Sequence, residues 1–115
     1  MIRRQEEIRV REVANAQNGK GSVYFHDWLL AEEACGHGRV FSKLVIPPGA
    51  SIGRHQHLGE FEAFYVLEGK ATVTDGEEEV VLKSGDMNLC KEGDFHGVEN
   101  CGEDNLILLA LIMNC

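Results

Sequence analysis

The sequence predicts an all-β chain that closes into one small antiparallel barrel. Three observations carry this. Short apolar runs alternate with turns from residue 40 to the C-terminus, enough for about eight or nine strands over the 115 residues. Glu68-Gly69 and Asp75-Gly76 fall between β-rich runs, and Asp-Gly suits the positive backbone angles of a tight hairpin. No stretch carries the long 3.6-residue periodicity of an amphipathic helix.

Taken in order, residues 1–21 supply an N-terminal strand and a loop, and residues 40–113 supply the barrel. IRVREV, from Ile8, alternates apolar and charged residues as a strand with one buried face does. NAQNGKGS (15–22) reads as a loop. VYFHDWLLAEEACGHG mixes a short strand-like run with a piece begun by Asp27 and ended by Gly36, either a helical turn or an irregular crossing. VFSKLVI (40–46) then leads to a Pro47-Pro48-Gly49 turn. FYVL, ATVT and EVVL are expected to form a meander, and DMNLC, HGVEN and NLILLALIM continue the strands. The acidic run Glu77-Glu78-Glu79 is expected on a solvated edge, where charge discourages edge-to-edge aggregation.

At this length one domain, 1–115, has room for one core. The formal charge of −8 opposes a phosphate-binding surface, so neither nucleic acid nor an anionic membrane is expected as a partner. No run approaches the roughly 20 apolar residues of a membrane span, and the polar start lacks an apolar export segment; a cytoplasmic protein is expected. Cys35, Cys90, Cys101 and Cys115 form no CxxC pair, which favours reduced thiols packed as small hydrophobes, with the terminal Cys115 exposed.

The chemistry concentrates in four residues. His55 and His57, two of five histidines, stand two apart at an expected strand start, so both side chains share a face. Glu62 alternates with Phe64 and Val66 on what should be the inward face of its strand. A lone buried carboxylate is costly unless it is paired or holds a cation, and the two imidazoles are its nearest partners. An antiparallel return can bring His96 beside them. Three neutral imidazoles and one carboxylate suit one divalent transition metal (Fe, Mn, Ni, Zn or Cu) and leave coordination positions open.

These residues fall in two longer patterns. Gly49 to Gly69, GASIGRHQHLGEFEAFYVLEG, matches G(x)5HxH(x)4E(x)6G at every fixed position. Gly85 to Asn100, GDMNLCKEGDFHGVEN, matches G(x)5PxG(x)2H(x)3N except that Lys91 replaces proline. The pair resembles the two motifs of the cupin superfamily, with the 15-residue spacer of its compact single-domain members. The resemblance implies a double-stranded β-helix, or jelly-roll barrel. It implies His55, His57, Glu62 and His96 as metal ligands, turns at Gly49, Gly69, Gly85 and Gly93, and a structural role for Asn100. Lys91 alters one turn and removes no ligand.

Glu60 is expected to be solvent-exposed at a turn, although its spacing from Glu62 also allows it to support the site. His26 and His37 lie outside both motifs and are expected to be structural or exposed, with His26 the nearer to the barrel mouth. Phe64, Val66 and Val98 should face the interior, while Tyr65 and Trp28 suit a barrel opening or a dimer interface. The resemblance implies two functional classes. One is a metalloenzyme performing oxygenation, decarboxylation or isomerisation on a small oxygen-rich substrate, with no catalytic residue assignable beyond the ligands. The other is a non-catalytic module that binds a sugar or small carboxylate. A homodimer is expected, with the N-terminal strand offering an unpaired edge.

Overall fold

The computed structural model describes residues 1–115, and ten strands account for most of them. They are β1 (Arg9–Ala14), β2 (Ser22–Leu29), β3 (Gly38–Ile46), β4 (Ser51–Gln56), β5 (Glu60–Glu68), β6 (Lys70–Asp75), β7 (Glu78–Lys83), β8 (Met87–Cys90), β9 (Phe95–Glu99) and β10 (Leu106–Asn114). All pairings are antiparallel. A six-stranded sheet has the order β1-β2-β3-β10-β5-β8, and a four-stranded sheet the order β4-β9-β6-β7. No helix is long and apolar enough to cross a membrane.

The two sheets enclose one core because the strands alternate as the sequence predicts. In β5 the inward residues Glu62, Phe64 and Val66 are buried while Tyr65 is exposed; in β10 the inward set is Leu106, Leu108, Ala110 and Ile112. Val73 and Val98 pair across β6 and β9 and close the core from the other sheet. The acidic run lies where it is expected, at the start of the exposed edge strand β7.

Four expectations are corrected. FYVL, ATVT and EVVL do not form a meander, because β5 and β6 belong to different sheets and only β6 and β7 make a hairpin. Gly69, at φ +90°, carries the chain between sheets; a Cβ there would sit 3.0 Å from the Asn105 carbonyl. Asp27 does not begin a helical turn. It is a buried residue inside β2, and a short 3-10 turn follows at Ala31–Ala34. His55 stands near the end of β4, not the start of a strand, and His57 follows just beyond it. Of the cysteines only Cys90 is packed inside; Cys35, Cys101 and Cys115 are exposed free thiols.

The loop between β1 and β2 folds onto β4 through a close backbone crossing. Gly19 and Gly53 face each other, and a Cβ on Gly53 would collide with the Gln17 carbonyl and lie 3.1 Å from the Gly19 nitrogen. Only two glycines permit this approach, which seats Ala16 and Gln17 on the wall of the pocket that holds His55.

Candidate metal centre

Three imidazoles come from the four-stranded sheet and its margin, and one carboxylate from the other sheet. His55 and His96 are direct cross-strand partners on β4 and β9. His57 is held where β4 ends by backbone bonds in both directions, its N–H to the Asp94 carbonyl and its carbonyl from the Gly93 N–H. Glu62 projects inward from β5 with only 5 % exposure. The candidate donor atoms of His55, His57, Glu62 and His96 all lie within 4.8 Å of one another.

Each imidazole is oriented through its other nitrogen. The Nδ1 of His55 donates to the Gly53 carbonyl at 2.7 Å, that of His57 to Glu60 Oε1 at 3.0 Å, and that of His96 to Asn88 Oδ1 at 2.7 Å. With the proton on Nδ1, each Nε2 presents a bare lone pair. All three point at one place: Glu62 Oε1 lies 2.9 Å from His96 Nε2, 3.1 Å from His57 Nε2 and 3.6 Å from His55 Nε2. His57 Nε2 also lies 3.1 Å and 3.2 Å from the Nε2 atoms of His55 and His96. Acceptors facing acceptors at these distances repel unless a proton or a cation sits among them. The residues therefore fit a divalent metal, and the cluster is able to hold one.

The electrostatics of the cluster differ from ring to ring: Glu62 and Glu60 raise His57 against its burial. Burial pushes the Glu62 carboxyl up, yet the close approach of the three imidazoles outweighs it and holds the group well below the usual carboxylate range. Burial also lowers His96, against the pull of Glu62, which keeps its ring neutral. The ring of Phe64 stacks on His96 with centroids 4.7 Å apart and nearly parallel planes, fixing the imidazole from the core side. Cys90 sits opposite Glu62 in the register of β5 and β8, where burial pushes its thiol up to about 11, and it does not join the cluster of candidate donor atoms.

A cavity of about 190 Å³ opens beside the cluster, walled by His55, His57 and Glu62 together with Arg11, Phe25 and Arg39. Glu60, expected to be solvent-exposed, is instead held inward: it accepts from His57 Nδ1 and from Arg39, whose Nε and Nη2 donate at 2.9 and 2.8 Å. The sequence alone gives Asn88, Arg11 and Arg39 no place near the site, and marks Asp27 only as the start of a turn. An asparagine sharing inward parity with Cys90 on β8 is the one signal that could have marked Asn88, since a polar residue there needs a partner. His37 is exposed, and His26 lies on the face of β2 opposite Val23 and Asp27, so neither reaches the site. Asn100 is structural, as expected: its buried amide donates to the Ile46 and Asp104 carbonyls and accepts from the Gly102 N–H. Lys91 leaves its turn closed, with the Asp94 N–H bonded to the Lys91 carbonyl at 3.0 Å.

The family model for the cupin domain matches residues 42–112, a span containing all four donors. The chain belongs to the cupin family. Among its relatives this cupin is 36 % identical over 113 residues to an oxalate-binding protein of Thermotoga maritima, covering 98 % of this chain and 93 % of that one. A crystal structure described as a predicted oxalate decarboxylase, also of Thermotoga maritima, superposes over the whole of both chains with a TM-score of 0.94 at 36 % identity. KdgF of Halomonas shares the fold at 17 % identity, with a TM-score of 0.78 over 100 % of this chain and 94 % of its own.

Proposed function

We propose that this cupin is a metal-dependent binder of a small dicarboxylate of the oxalate type, with His55, His57, Glu62 and His96 as the ligands of the ion. The observation that carries the reading is the convergence of three bare imidazole nitrogens on Glu62 Oε1 at the floor of a small cavity. The likeness to an oxalate-binding protein over almost the full length supports the ligand class. Iron, manganese, nickel, zinc and copper all accept this donor set. When bound, such an ion supplies a Lewis acid to which two oxygens of a small acid can chelate.

Binding without turnover is favoured over catalysis by the state of the carboxylates near the cavity. Glu60 is engaged by Arg39 and His57, Asp27 by Arg9, Arg11 and Ser42, and Glu62 by the imidazoles. None is free to move a proton to or from a ligand. The test is calorimetric titration of oxalate into manganese-loaded and chelator-treated protein, with carbon dioxide and formate measured in parallel. Saturable binding only to the loaded form, without product, is the expected result. Product formation would replace the binder by a decarboxylase, and absence of binding would remove both.

The chain is also read as a homodimer. An outward apolar patch supports this better than the β1 edge, since Phe41, Tyr65, Met87, Leu89 and Met113 are all exposed on the six-stranded sheet. Light scattering that returns the mass of one chain at micromolar concentration would sink it. Three exposed free thiols suit a reducing compartment, which supports a cytoplasmic location.

A further inference from the structure

We propose that Arg11 and Arg39 act as a charge gauge at the rim of the metal cavity, selecting a doubly charged ligand over a singly charged one of the same size. The inference rests on the reading of the site as a metal-dependent carboxylate binder and adds the residues that set its selectivity.

Both guanidiniums wall the cavity, and both are half-exposed. Each is held along one edge by a carboxylate. Arg11 donates from Nε and Nη2 to Asp27 at 2.6 and 3.0 Å, and Arg39 donates from Nε and Nη2 to Glu60 at 2.9 and 2.8 Å. The Nη1 of each makes no hydrogen bond within the protein. Arg11 is further fixed over the Phe25 ring, with its central carbon 4.7 Å from the centroid. Two planar donors are thus pinned in place beside the cluster, each with hydrogen-bonding capacity left over.

The charge count makes the pair selective. Asp27, Glu60 and Glu62 are offset in number by Arg9, Arg11 and Arg39, and an imidazole that ligates an ion through Nε2 while its proton stays on Nδ1 adds no charge. A divalent ion therefore leaves the site with two uncompensated positive charges. A dianion cancels them, whereas a monoanion leaves one in a partly desolvated cavity. Asp27 and Glu60 hold the arginines and occupy the edge of each that would otherwise take a bidentate carboxylate, so the ligand is met by single N–H groups.

The experiment compares oxalate with glyoxylate, a two-carbon acid carrying one charge fewer, by calorimetry on manganese-loaded wild type, Arg11→Met and Arg39→Met. Metal content and melting curves are taken for each protein. The expected result is that either variant loses about tenfold in oxalate affinity, the worth of one charge-assisted hydrogen bond, with glyoxylate changed by less than about threefold. The variants disturb different neighbours: Arg11→Met releases Asp27 and touches no ligand's partner, while Arg39→Met releases Glu60. A loss of discrimination shared by both therefore cannot come from either side effect. If wild type binds both acids but the variants weaken them equally, or leave oxalate unchanged, the gauge is overturned and the binding site stands. If wild type binds neither acid, the binding reading fails and takes the gauge with it. Should one variant not fold, the other decides on the same criterion.

Discussion

The floor and the rim of the cavity are built from opposite kinds of sequence information. On the floor, His55, His57 and Glu62 lie within eight residues of one another, and His96 is brought in by a direct cross-strand pairing with His55. The rim draws Arg11 from β1, held by Asp27 of β2, Arg39 from β3 and Gln17 from a loop laid across β4. The floor is coded by spacing; the rim depends on register and on how far one element lies over another. If that contrast is real, damage to the floor should abolish metal binding with little effect on the fold, while damage to the rim should first cost stability and selectivity.

The largest effect is expected from the floor. His96→Ala or His55→Ala should lose most of the bound ion, and His37→Ala, altering an exposed ring outside the site, should lose none; elemental analysis of the three purified variants measures it. Equal occupancy in all three would remove the ligand assignment and with it the distinction between floor and rim.

Next comes the backbone crossing that supports the rim. Gly53→Ala places a Cβ against the Gln17 carbonyl, and because backbone faces backbone nothing flexible can yield. A loss of about 3 kcal/mol is expected in denaturant unfolding, the upper end of the usual cost of overpacking that forces the main chain to shift. Metal binding measured below the transition should weaken but persist, because the Gly53 carbonyl that orients His55 shifts with the main chain while His57, Glu62 and His96 keep their places.

These two tests also mark what could be read from the chain and what could not. The clustering of the four candidate donors was legible because their short spacings and the match to two cupin motifs mark them together, although His57 falls just beyond the end of β4. The all-β class was legible from turns and apolar runs. The passage of β5 and β6 into separate sheets was not, since a Glu-Gly turn looks the same whether it closes a hairpin or turns a barrel corner; only the nearby Asn105 carbonyl reveals which. Asp27 was misread for a related reason. An aspartate before apolar residues looks like a helix cap, and its true partners, Arg9, Arg11 and Ser42, lie 15 or more residues away on neighbouring strands.

Asp27 gives the next prediction. Its carboxyl is buried, which pushes its pKa up, but the bonds from Arg11, Ser42 and Arg9 bring it down to about 2. A carboxylate with a depressed folded pKa stabilises the protein fully above its unfolded value near 4 and ceases to do so as pH falls through about 2. At pH 6, Asp27→Asn should therefore cost about 2 kcal/mol, the worth of that shift by linkage. The gap from wild type should narrow between pH 4 and pH 2 in denaturant melts. A gap that stays constant with pH would mean that Asp27 acts by packing and not by charge.

Glu60 is the residue where floor and rim meet, and the smallest predicted effect belongs to it. Its carboxylate accepts from His57 Nδ1 on one side and from Arg39 on the other, so it orients a proposed ligand while anchoring a rim arginine. Glu60→Gln keeps an oxygen acceptor for His57 but removes the charge that pairs with Arg39. Partners that orient a metal-bound histidine typically contribute about 10–100-fold in metal affinity, and retention of the acceptor puts this variant at the lower limit, about tenfold. Competition against a chelating dye measures that loss. Glu60→Ala, lacking the acceptor altogether, should fall further, because His57 Nδ1 then has no fixed partner and its ring can rotate. If Glu60→Gln and Glu60→Ala bind the ion equally well, His57 is held by packing alone, and the rim exerts no grip on the floor.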